Sequence, residues 1–326
     1  MNFRLSTYDT VLVTGGAGFI GSHTVDALLD LGSEVWVLDN LSTGSLHNLR
    51  TWKRSRKFHF TRNTVTNYRT VAALAGKTDA IIHLAAVVSP YLSVKKPEIV
   101  NEVNVSGTLN ILRAAVKKDV KRVVFASSSS VYGNQSSLPI SERNLPTPIT
   151  PYGVSKLSGE KYCGAFHETY NLSTVALRYF NVYGQRQRAN PYSGVIAIFA
   201  NLLSKGERPR IYGNGQQTRD FIHVSDVVKA NLRALEAERV SGEAFNIGTG
   251  ERTSINRLFT ILAELSNKAD IQPIYARERP GDIKHSYASI TKAREMLGFE
   301  SKTELRQGLQ RLIPPRSPVS EFPRKS

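Results

Sequence analysis

The stretch Val11-Leu-Val-Thr-Gly-Gly-Ala-Gly-Phe-Ile-Gly21 is the most informative part of the sequence. Its apolar start predicts a buried strand, and the apolar spacing of residues 22–31 predicts a helix directly after the glycines. Gly15, Gly18 and Gly21 permit a tight turn, a close approach of the backbone to a pyrophosphate, and close packing of helix on strand. The N–H groups and the dipole at the start of that helix favour phosphate charge. The stretch therefore predicts a dinucleotide-binding turn.

A second apolar run, Glu34-Val-Trp-Val-Leu-Asp39, ends in an acidic residue eighteen positions after Gly21. A carboxylate at this place holds the 2′-hydroxyl of a ribose and repels a 2′-phosphate. The alternative is an ordinary strand, turn and helix with incidental glycines, and the surrounding pattern disfavours it. We therefore predict NAD, rather than NADP, as the cofactor.

The composition indicates a globular protein with a large core. The chain has 326 residues, of which 40% are hydrophobic and 21% charged, and this length favours two lobes. No apolar run approaches the roughly 20 residues that a membrane helix needs, and the first residues lack a signal-peptide core. The single cysteine, Cys163, excludes an internal disulfide and a cysteine-rich metal site. We expect a cytoplasmic protein without a metal.

The net charge of +16 allows three kinds of partner: nucleic acid, an acidic membrane surface or an anionic small substrate. The basic residues are scattered along the chain, and no recognisable nucleic-acid module accompanies them. We therefore expect no nucleic-acid or membrane partner, and a basic surface that attracts a doubly charged sugar nucleotide.

Strand-like and helix-like segments alternate through the first half of the chain. After the first two strands, further strands are predicted at 58–61, 79–86, 122–127 and 173–178, with helices at 98–118 and 152–170. This alternation predicts an α/β fold with a doubly wound parallel sheet of the Rossmann type. We divide the chain into a cofactor domain (1–178, with 222–249 returning to it), a smaller C-terminal α/β substrate lobe (179–221 and 250–313) and a disordered tail (314–326).

Tyr152 and Lys156 are four residues apart, so on a helix they share one face. A free tyrosine, with a pKa of about 10, is a poor base at neutral pH. A neighbouring ammonium and a positive nicotinamide ring would favour the phenolate and lower that pKa. The serine cluster Ser127-Ser-Ser-Ser130 ends a predicted strand and offers a hydroxyl to the same substrate oxygen. The alternative is an amphipathic helix with an incidental Tyr/Lys pair, which the cofactor prediction disfavours.

Eight short motifs, taken together, resemble those of one enzyme family. They are Thr14-Gly-Gly-Ala-Gly-Phe-Ile-Gly21, Asp39-Asn40, His83-Leu-Ala-Ala86, Ser127-Ser-Ser-Ser-Val-Tyr-Gly133, Tyr152-Gly-Val-Ser-Lys156, Arg178-Tyr-Phe-Asn-Val-Tyr-Gly184, Thr218-Arg-Asp-Phe221 and Arg279-Pro-Gly-Asp282. The family is that of the extended short-chain dehydrogenases acting on nucleotide sugars, and the sequence is most similar to the UDP-hexose 4-epimerases. The resemblance covers about residues 10–312.

The resemblance implies a catalytic triad. Tyr152 is the expected base, Lys156 is expected to lower its pKa and to bind the nicotinamide ribose, and Ser128 completes the set. It also implies a set of cofactor contacts: Gly15, Gly18, Phe19, Ile20, Asp39, Asn40, Ser42, Thr43, Gly44, Thr64, Val65, Leu84, Ala85, Ala86, Asn104, Ser127, Tyr152, Lys156 and Tyr179. Thr64 stands where the family usually has an aspartate against adenine, so it carries no charge there.

The implied substrate contacts are Ser89, Ser128, Asn181, Val195 with its neighbour Ile196, Tyr212, Arg219, Arg279, Asp282 and Ser286. The two arginines are expected to bind the diphosphate, because their fork of donors suits phosphate oxygens. Ser286 falls where the family has a residue walling the sugar pocket. A small residue there admits an N-acetyl group, so activity on UDP-N-acetylhexosamines as well as UDP-hexoses is expected.

Several alternatives remain open at this stage. Related dehydratases carry Asp-Glu after the triad serine, where this chain has Ser129-Ser130, so 4,6-dehydration is disfavoured. A uronate 4-epimerase is possible because Arg186 or Arg188 offers a cation for a sugar carboxylate. A catalytically silent NAD-binding scaffold is the alternative from another class. The resemblance also implies a homodimer in which the helices beginning at Glu98 and Tyr152 pair.

Overall fold

A seven-stranded parallel sheet lies at the centre of the protein. The computed structural model describes residues 8–188, 194–278 and 283–313. In chain order, the strands are β1 Thr10–Thr14, β2 Glu34–Asp39, β3 Phe58–Arg62, β4 Ala80–His83, β5 Arg122–Ser128, β6 Ser173–Tyr179, β7 Asn181–Tyr183, β8 Arg210–Tyr212, β9 Thr218–Arg219, β10 Phe221–His223, β11 Glu243–Ile247, β12 Thr253–Ser254, β13 Ile274–Ala276 and β14 His285–Ser286.

Eleven α-helices in the described residues cover the sheet and build the second lobe. They are α1 Phe19–Asp30, α2 Tyr68–Ala75, α3 Pro90–Lys95, α4 Pro97–Asn101, α5 Gly107–Lys117, α6 Pro151–Tyr170, α7 Val195–Ser204, α8 Val224–Glu236, α9 Ile255–Leu265, α10 Thr291–Leu297 and α11 Leu305–Gln310. Short 3-10 helices lie at Leu46–Trp52 and Ser129–Val131, and a π-helical turn lies at Glu102–Ser106.

The large sheet has the spatial order β11-β6-β5-β4-β1-β2-β3, and every neighbouring pair is parallel. The order 3-2-1-4-5-6 is that of the doubly wound nucleotide-binding fold, so the predicted fold class is confirmed. The order reverses between β1 and β4, and ligands bind at such a switch point, outside the carboxyl ends of the strands. β11 comes from late in the chain and extends the sheet beside β6.

The strands are apolar on both sides because helices cover both faces of the sheet. α1, α8 and α10 pack on one face, where Val25, Leu28 and Val227 join the core. α2, α5 and α6 pack on the other, where Ile111 and Cys163 are buried. The cysteine is therefore a packing residue in the core.

The second lobe is built from α7, α9 and α11 around its own apolar cluster. Its short strands pair as β7 with β10, β8 with β13, and β9 between β12 and β14. None of the helices in the described residues is long and apolar enough to cross a membrane. The tail predicted to be disordered lies outside the described residues.

Candidate active site

The three glycines of the turn after β1 have different environments. Gly15 has a φ of +70°, its N–H donates to Leu38 O at 2.8 Å, and an added Cβ would lie 2.8 Å from Ala85 N. A Cβ at Gly21 would overlap the carbonyl oxygen of Gly15, so this glycine lets α1 pack against the turn. Among the described residues, a Cβ at Gly18 would meet only Gly15 O, at 3.1 Å. The backbone at Gly18 is therefore open for the approach of a ligand.

The N-terminus of α1 is suited to bind an anion. Phe19 and Ile20 are its first residues, and in the described part of the chain no side chain caps this end and no acidic residue lies in its first turn. The first N–H groups of a helix have no partner within the helix and carry the positive end of its dipole. These groups, beside the open backbone of Gly18, suit a pyrophosphate.

Asp39 ends β2 beside the glycine turn and is buried. Its Oδ2 accepts from Ala17 N at 2.9 Å, and its Oδ1 accepts from Leu41 N at 2.7 Å. A carboxylate has about four acceptor sites, so each oxygen retains a lone pair for a ribose hydroxyl. The residues present at the glycine turn, the α1 start and Asp39 thus fit NAD.

The loop that follows Asp39 packs against the glycine turn. An added Cβ at Gly44 would lie 2.9 Å from the carbonyl carbon of Ala17, so only glycine allows this contact. Asn40 shapes the loop by accepting from Ser42 N at 3.0 Å. After β3, the hydroxyl of Thr64 accepts from Thr66 N at 3.3 Å, and Val65 is buried.

The segment after β4 is fixed from two sides. Leu84 N and Ala85 N donate to the carbonyl and hydroxyl of Thr14, both at 3.2 Å. From the other side, Asn104 accepts from Val87 N at 2.8 Å and donates to Val87 O at 3.0 Å. The Asn104 amide, predicted as a cofactor contact, thus holds the backbone beyond Ala86.

Asn104 lies in the π-helical turn that interrupts the helix predicted over 98–118. Its amide also donates to Ser155 Oγ on α6 at 3.0 Å, so one side chain joins this turn to the predicted catalytic helix. Gly107 follows the turn and contacts Val65, since an added Cβ would lie 2.6 Å from Val65 Cγ2. Such π-turns are frequent at functional sites, and periodicity alone does not reveal them.

The three predicted catalytic residues come together where β5 ends and α6 begins. Tyr152 lies in the first turn of α6, which Thr150 caps by accepting from Gly153 N at 3.1 Å. The Ser128 hydroxyl lies near enough to the Tyr152 phenol to lower its pKa, and it donates to Ser130 Oγ at 3.2 Å. One turn later, Lys156 Nζ donates to Ala126 O at 2.8 Å.

Burial determines the protonation of both titratable groups at this site. It raises the pKa of Tyr152 to about 12, against the opposing effect of the neighbouring Ser128 hydroxyl. It also lowers the pKa of Lys156 to about 8, while the carboxylate of Glu160 acts in the other direction. The raised pKa of Tyr152 is opposite in direction to the lowered pKa that was expected with a neighbouring ammonium and a nicotinamide ring. In the protein alone, removal from water outweighs the stabilisation of the phenolate.

A buried polar network that the motifs do not predict lies beside this site. Glu160, on α6 one turn after Lys156, binds Arg178 of β6 through both oxygens, at 2.9 Å to Nε and 2.7 Å to Nη2. Arg178 Nη1 also donates to Tyr132 OH at 2.8 Å, which donates to Asn246 Oδ1 at 2.7 Å. The spacing of Glu160 four residues after Lys156 is the sequence signal that points to it.

Two predicted cofactor contacts use their hydroxyls within the protein. Ser127 donates to Glu160, and its side chain is therefore part of the buried network. Tyr179 donates to Asn231 Oδ1 on α8 at 2.5 Å. Any contact of these residues with a cofactor would have to use atoms other than those hydroxyl hydrogens.

Three predicted substrate contacts lie on short strands around Asp220. Arg219 on β9 is in register with Ser286 on β14, so the two side chains share one face of the small sheet. Asn181, on β7, donates to Asp220 O at 3.1 Å, directly after Arg219. Arg279 and Asp282 lie outside the described residues.

The remaining predicted substrate contacts lie at the ends of helices and strands. Ser89 caps α3 by accepting from Leu92 N at 3.1 Å. Val195 begins α7 and is partly buried, whereas Ile196 is buried in the core of the lobe. Tyr212 ends β8, where its carbonyl accepts from Gln217 Nε2 at 2.7 Å.

The two arginines of the uronate alternative lie against α1 and the loop after β2. Arg186 Nη2 forms an ion pair with Asp26 Oδ2 of α1 at 2.7 Å. Arg188 Nη2 donates to Gly44 O at 3.4 Å. The Arg186 guanidinium is therefore committed to a carboxylate of the protein. No group of three or more His, Cys, Asp or Glu within the described ranges is arranged to hold a metal.

Comparison with known proteins identifies the family. The model of the NAD dependent epimerase/dehydratase family matches residues 11–248, from β1 to the end of β11. The chain belongs to this family. The match agrees with the predicted resemblance and confirms the predicted NAD cofactor. When bound, NAD supplies the acceptor and donor of hydride in this family's chemistry.

Relatives of this epimerase/dehydratase chain are similar over nearly their whole length. A putative UDP-glucose 4-epimerase of Methanocaldococcus jannaschii is 40% identical over 306 residues, 93% of this chain and 97% of that protein. The structure of a UDP-glucose 4-epimerase of Thermotoga maritima with UDP-glucose has a TM-score of 0.88 and 40% identity, covering 93% and 96% of the two chains. A UDP-N-acetylglucosamine 4-epimerase of Methanobrevibacter ruminantium M1, with UDP-N-acetylmuramic acid, has a TM-score of 0.89 and 38% identity, with the same coverage.

Proposed function

We propose that this enzyme is a UDP-sugar 4-epimerase that interconverts UDP-glucose with UDP-galactose and UDP-N-acetylglucosamine with UDP-N-acetylgalactosamine. The placement of Ser128 at the end of β5, with Tyr152 and Lys156 in the first turns of α6, is the observation that carries the reaction type. This placement brings two hydroxyl groups to the edge of the sheet where the glycine turn lies. The single, buried Cys163 supports a reducing, cytoplasmic location.

In the proposed mechanism Tyr152 takes the proton of the sugar 4-hydroxyl as C4 is oxidised. Ser128 holds the same oxygen and stabilises the charge that develops on it. The resulting 4-keto sugar turns about its bond to the diphosphate, and Tyr152 returns the proton once the opposite face of C4 has been reduced. Lys156, held by the Ala126 carbonyl one turn after Tyr152, would hold the nicotinamide ribose, and its positive charge would favour the phenolate.

Ser286 supports the wider substrate range. It is a small, buried residue on the strand next to Arg219, the proposed diphosphate contact. A serine leaves the volume that a large aromatic side chain would fill, and an N-acetyl group needs that volume. The similarity to both a UDP-glucose and a UDP-N-acetylglucosamine 4-epimerase is consistent with this proposal.

The test is an assay of the purified full-length protein with a panel of UDP-sugars and no added NAD. We expect 4-epimerised product from UDP-galactose and from UDP-N-acetylglucosamine, because the cofactor is regenerated in each cycle. Product from UDP-galactose alone would overturn the wider range. Absence of product from every UDP-sugar, with NAD bound, would instead support the non-catalytic scaffold.

The uronate 4-epimerase is a less well supported alternative. It requires a cation at the sugar carboxylate, and the sequence offered Arg186 or Arg188. The ion pair with Asp26 occupies Arg186, and Arg188 contacts the loop at Gly44. Faster turnover of UDP-glucuronate than of UDP-galactose in the same panel would favour this alternative.

We further propose a homodimer formed by α4, α5 and α6. Apolar side chains on α4, α6 and their neighbour α3 remain exposed in the single chain: Ile99 is 39% exposed, Val154 50%, Tyr162 37% and Val94 66%. Exposed apolar side chains on neighbouring helices are typical of an interface, and a second copy of the same face is the occupant proposed. Light scattering during gel filtration should give twice the chain mass, and Tyr162→Glu should reduce it to one chain.

A further inference from the structure

The segment Gly184–Arg188, which we call the lobe loop, follows β7 of the second lobe and contacts the cofactor domain. Arg186 Nη2 lies 2.7 Å from Asp26 Oδ2 of α1. The other oxygen of Asp26 accepts from Trp52 Nε1, also at 2.7 Å, at the end of a 3-10 helix. One carboxylate therefore joins three segments: α1, this 3-10 helix and the lobe loop.

Further contacts follow the same face of α1. Nε2 of His23 donates to Gln185 O at 3.0 Å. Gly184 lies against Phe19, since an added Cβ would be 3.5 Å from Phe19 Cε2. Phe19, His23 and Asp26 have the spacing i, i+4 and i+7, so they form one stripe from the first turn of the helix onward.

The backbone of the lobe loop is held in an uncommon conformation. Arg186 has a φ of +66°, in the left-handed region that arginine seldom adopts. Such a conformation persists where the surroundings fix it. The Asp26 carboxylate supplies a fixed partner for the side chain, while the His23 ring fixes the preceding carbonyl.

The lobe loop contacts two elements expected to bind the adenosine diphosphate part of NAD. One is the start of α1, expected at the pyrophosphate, and the other is the loop after Asp39, expected at the ribose. Gly184 contacts Phe19 at the N-terminus of α1, which is suited to bind an anion. Arg188 donates at 3.4 Å to Gly44 O, in the loop that follows Asp39. These two elements can move apart from the second lobe only if the contacts of the lobe loop break.

We infer that the lobe loop slows the release of NAD by fastening the substrate lobe to α1 through the Arg186–Asp26 ion pair. The inference rests on the proposed function in one respect, the retention of NAD from one catalytic cycle to the next. Asp26 and Arg186 are positioning residues here, because they act through α1 and do not belong to the catalytic set.

The experiment measures cofactor release directly. Full-length protein is loaded with NADH and mixed with a large excess of NAD, and the loss of bound NADH fluorescence gives the release rate. Asp26→Asn keeps an acceptor for Trp52 and removes the charge that binds Arg186. We expect release about fivefold faster, the effect of losing a partly exposed ion pair. Asp30→Asn, an exposed position on the same helix, removes an equal charge away from the lobe loop and should release NADH at the unmodified rate.

A second variant protects the test against a folding defect. Arg186→Gln should accelerate release to a similar degree, and the double variant should add little to either single change, because both remove one interaction. Unchanged release in both single variants, or equal acceleration in Asp30→Asn, would overturn the inference. Release too fast to measure in the unmodified protein would overturn it as well, whereas failure of the epimerase proposal would appear separately in the product assay.

Discussion

Arg178 binds both carboxylate oxygens of Glu160 in the interior of the protein, at 2.9 and 2.7 Å. The pair joins β6 to α6 one helical turn beyond Lys156, and Ser127 adds a third donor to the same carboxylate. A buried pair of this kind contributes little compared with an apolar pair, but the loss of one partner is costly because it leaves the other charge unpaired. The Glu160 carboxylate therefore joins α6 to both β5 and β6 beside the proposed catalytic site.

Glu160→Gln should lower the free energy of unfolding by about 3 kcal/mol, because a neutral amide leaves the Arg178 guanidinium without its countercharge. Glu160 also raises the pKa of Lys156, so the variant should lose the protonated ammonium at a lower pH. Urea unfolding and the pH dependence of the epimerisation rate measure the two effects. Glu168→Gln, exposed on the same helix, is the matched control, and an equal loss of stability there would contradict the explanation.

Tyr152→Phe should reduce epimerisation by about a thousandfold, since the variant has no group to move the proton of the 4-hydroxyl. NAD should remain bound, because the glycine turn and Asp39 are untouched. The NAD content after gel filtration and the product assay measure these two outcomes. Tyr170→Phe, at the exposed end of the same helix, serves as the control. A Tyr152→Phe enzyme with near-normal turnover would refute the assignment of the base.

The ionisation of Tyr152 should depend on the bound cofactor. Without it, burial holds the pKa of Tyr152 near 12, above the ordinary value of about 10, so the phenol stays neutral as pH rises through 10. The near-ultraviolet tyrosinate signal of the stripped protein should then match that of Tyr152→Phe up to about pH 11. Binding of NAD should make the tyrosinate signal of Tyr152 appear at lower pH, because a positive ring stabilises the phenolate. A phenol that ionises below pH 8 without NAD would contradict this prediction.

Two glycines of the turn after β1 should respond differently to alanine. Gly18→Ala meets one protein atom and should fold normally, but its methyl group takes the space of the pyrophosphate and should weaken NAD binding about tenfold. Gly21→Ala overlaps Gly15 O and should lose about 1–3 kcal/mol of unfolding free energy. Thermal unfolding and an NAD titration separate the effects. Gly164→Ala, with no atom near its added Cβ, is the control, and a destabilised Gly18→Ala would contradict the reading of the turn.

Ser286→Tyr should narrow the range of substrates. The ring would fill the space beside Arg219, so kcat/KM for UDP-N-acetylglucosamine should fall about tenfold relative to UDP-glucose. Ser286→Ala keeps the space and should preserve the ratio. An unchanged ratio in Ser286→Tyr would show that another residue sets the size of the sugar pocket.

The fold and the backbone of the site could be predicted from the sequence because both follow from local patterns. Glycine spacing, an apolar run ending in Asp39, and a Tyr/Lys pair on one helical turn can be recognised without knowing any long-range contact. The side chains that support the site depend on tertiary contacts instead. Glu160 is a helical acid in sequence and becomes buried only because β6 presents Arg178 to it.

The directions of individual side chains also could not be predicted from the sequence. Ser127 and Ser128 are neighbours in sequence, but Ser127 donates to Glu160 while Ser128 donates to Ser130 and lies near Tyr152. The amide of Asn104 contacts Val87 and Ser155 because a π-helical turn changes the helical phase. A pattern of residue types does not report such a change, so the roles of these cofactor contacts stay predictions.

The late position of β11 in the chain has a consequence for synthesis. Until Glu243–Ile247 has left the ribosome, β6 is an edge strand with unpaired backbone groups. At ribosomal speed this edge stays open for roughly 3 to 14 seconds after Tyr179 has left the ribosome. An unpaired edge of this kind pairs readily with other chains. The nascent protein is therefore most exposed to misassembly while the first half of its second lobe is being translated.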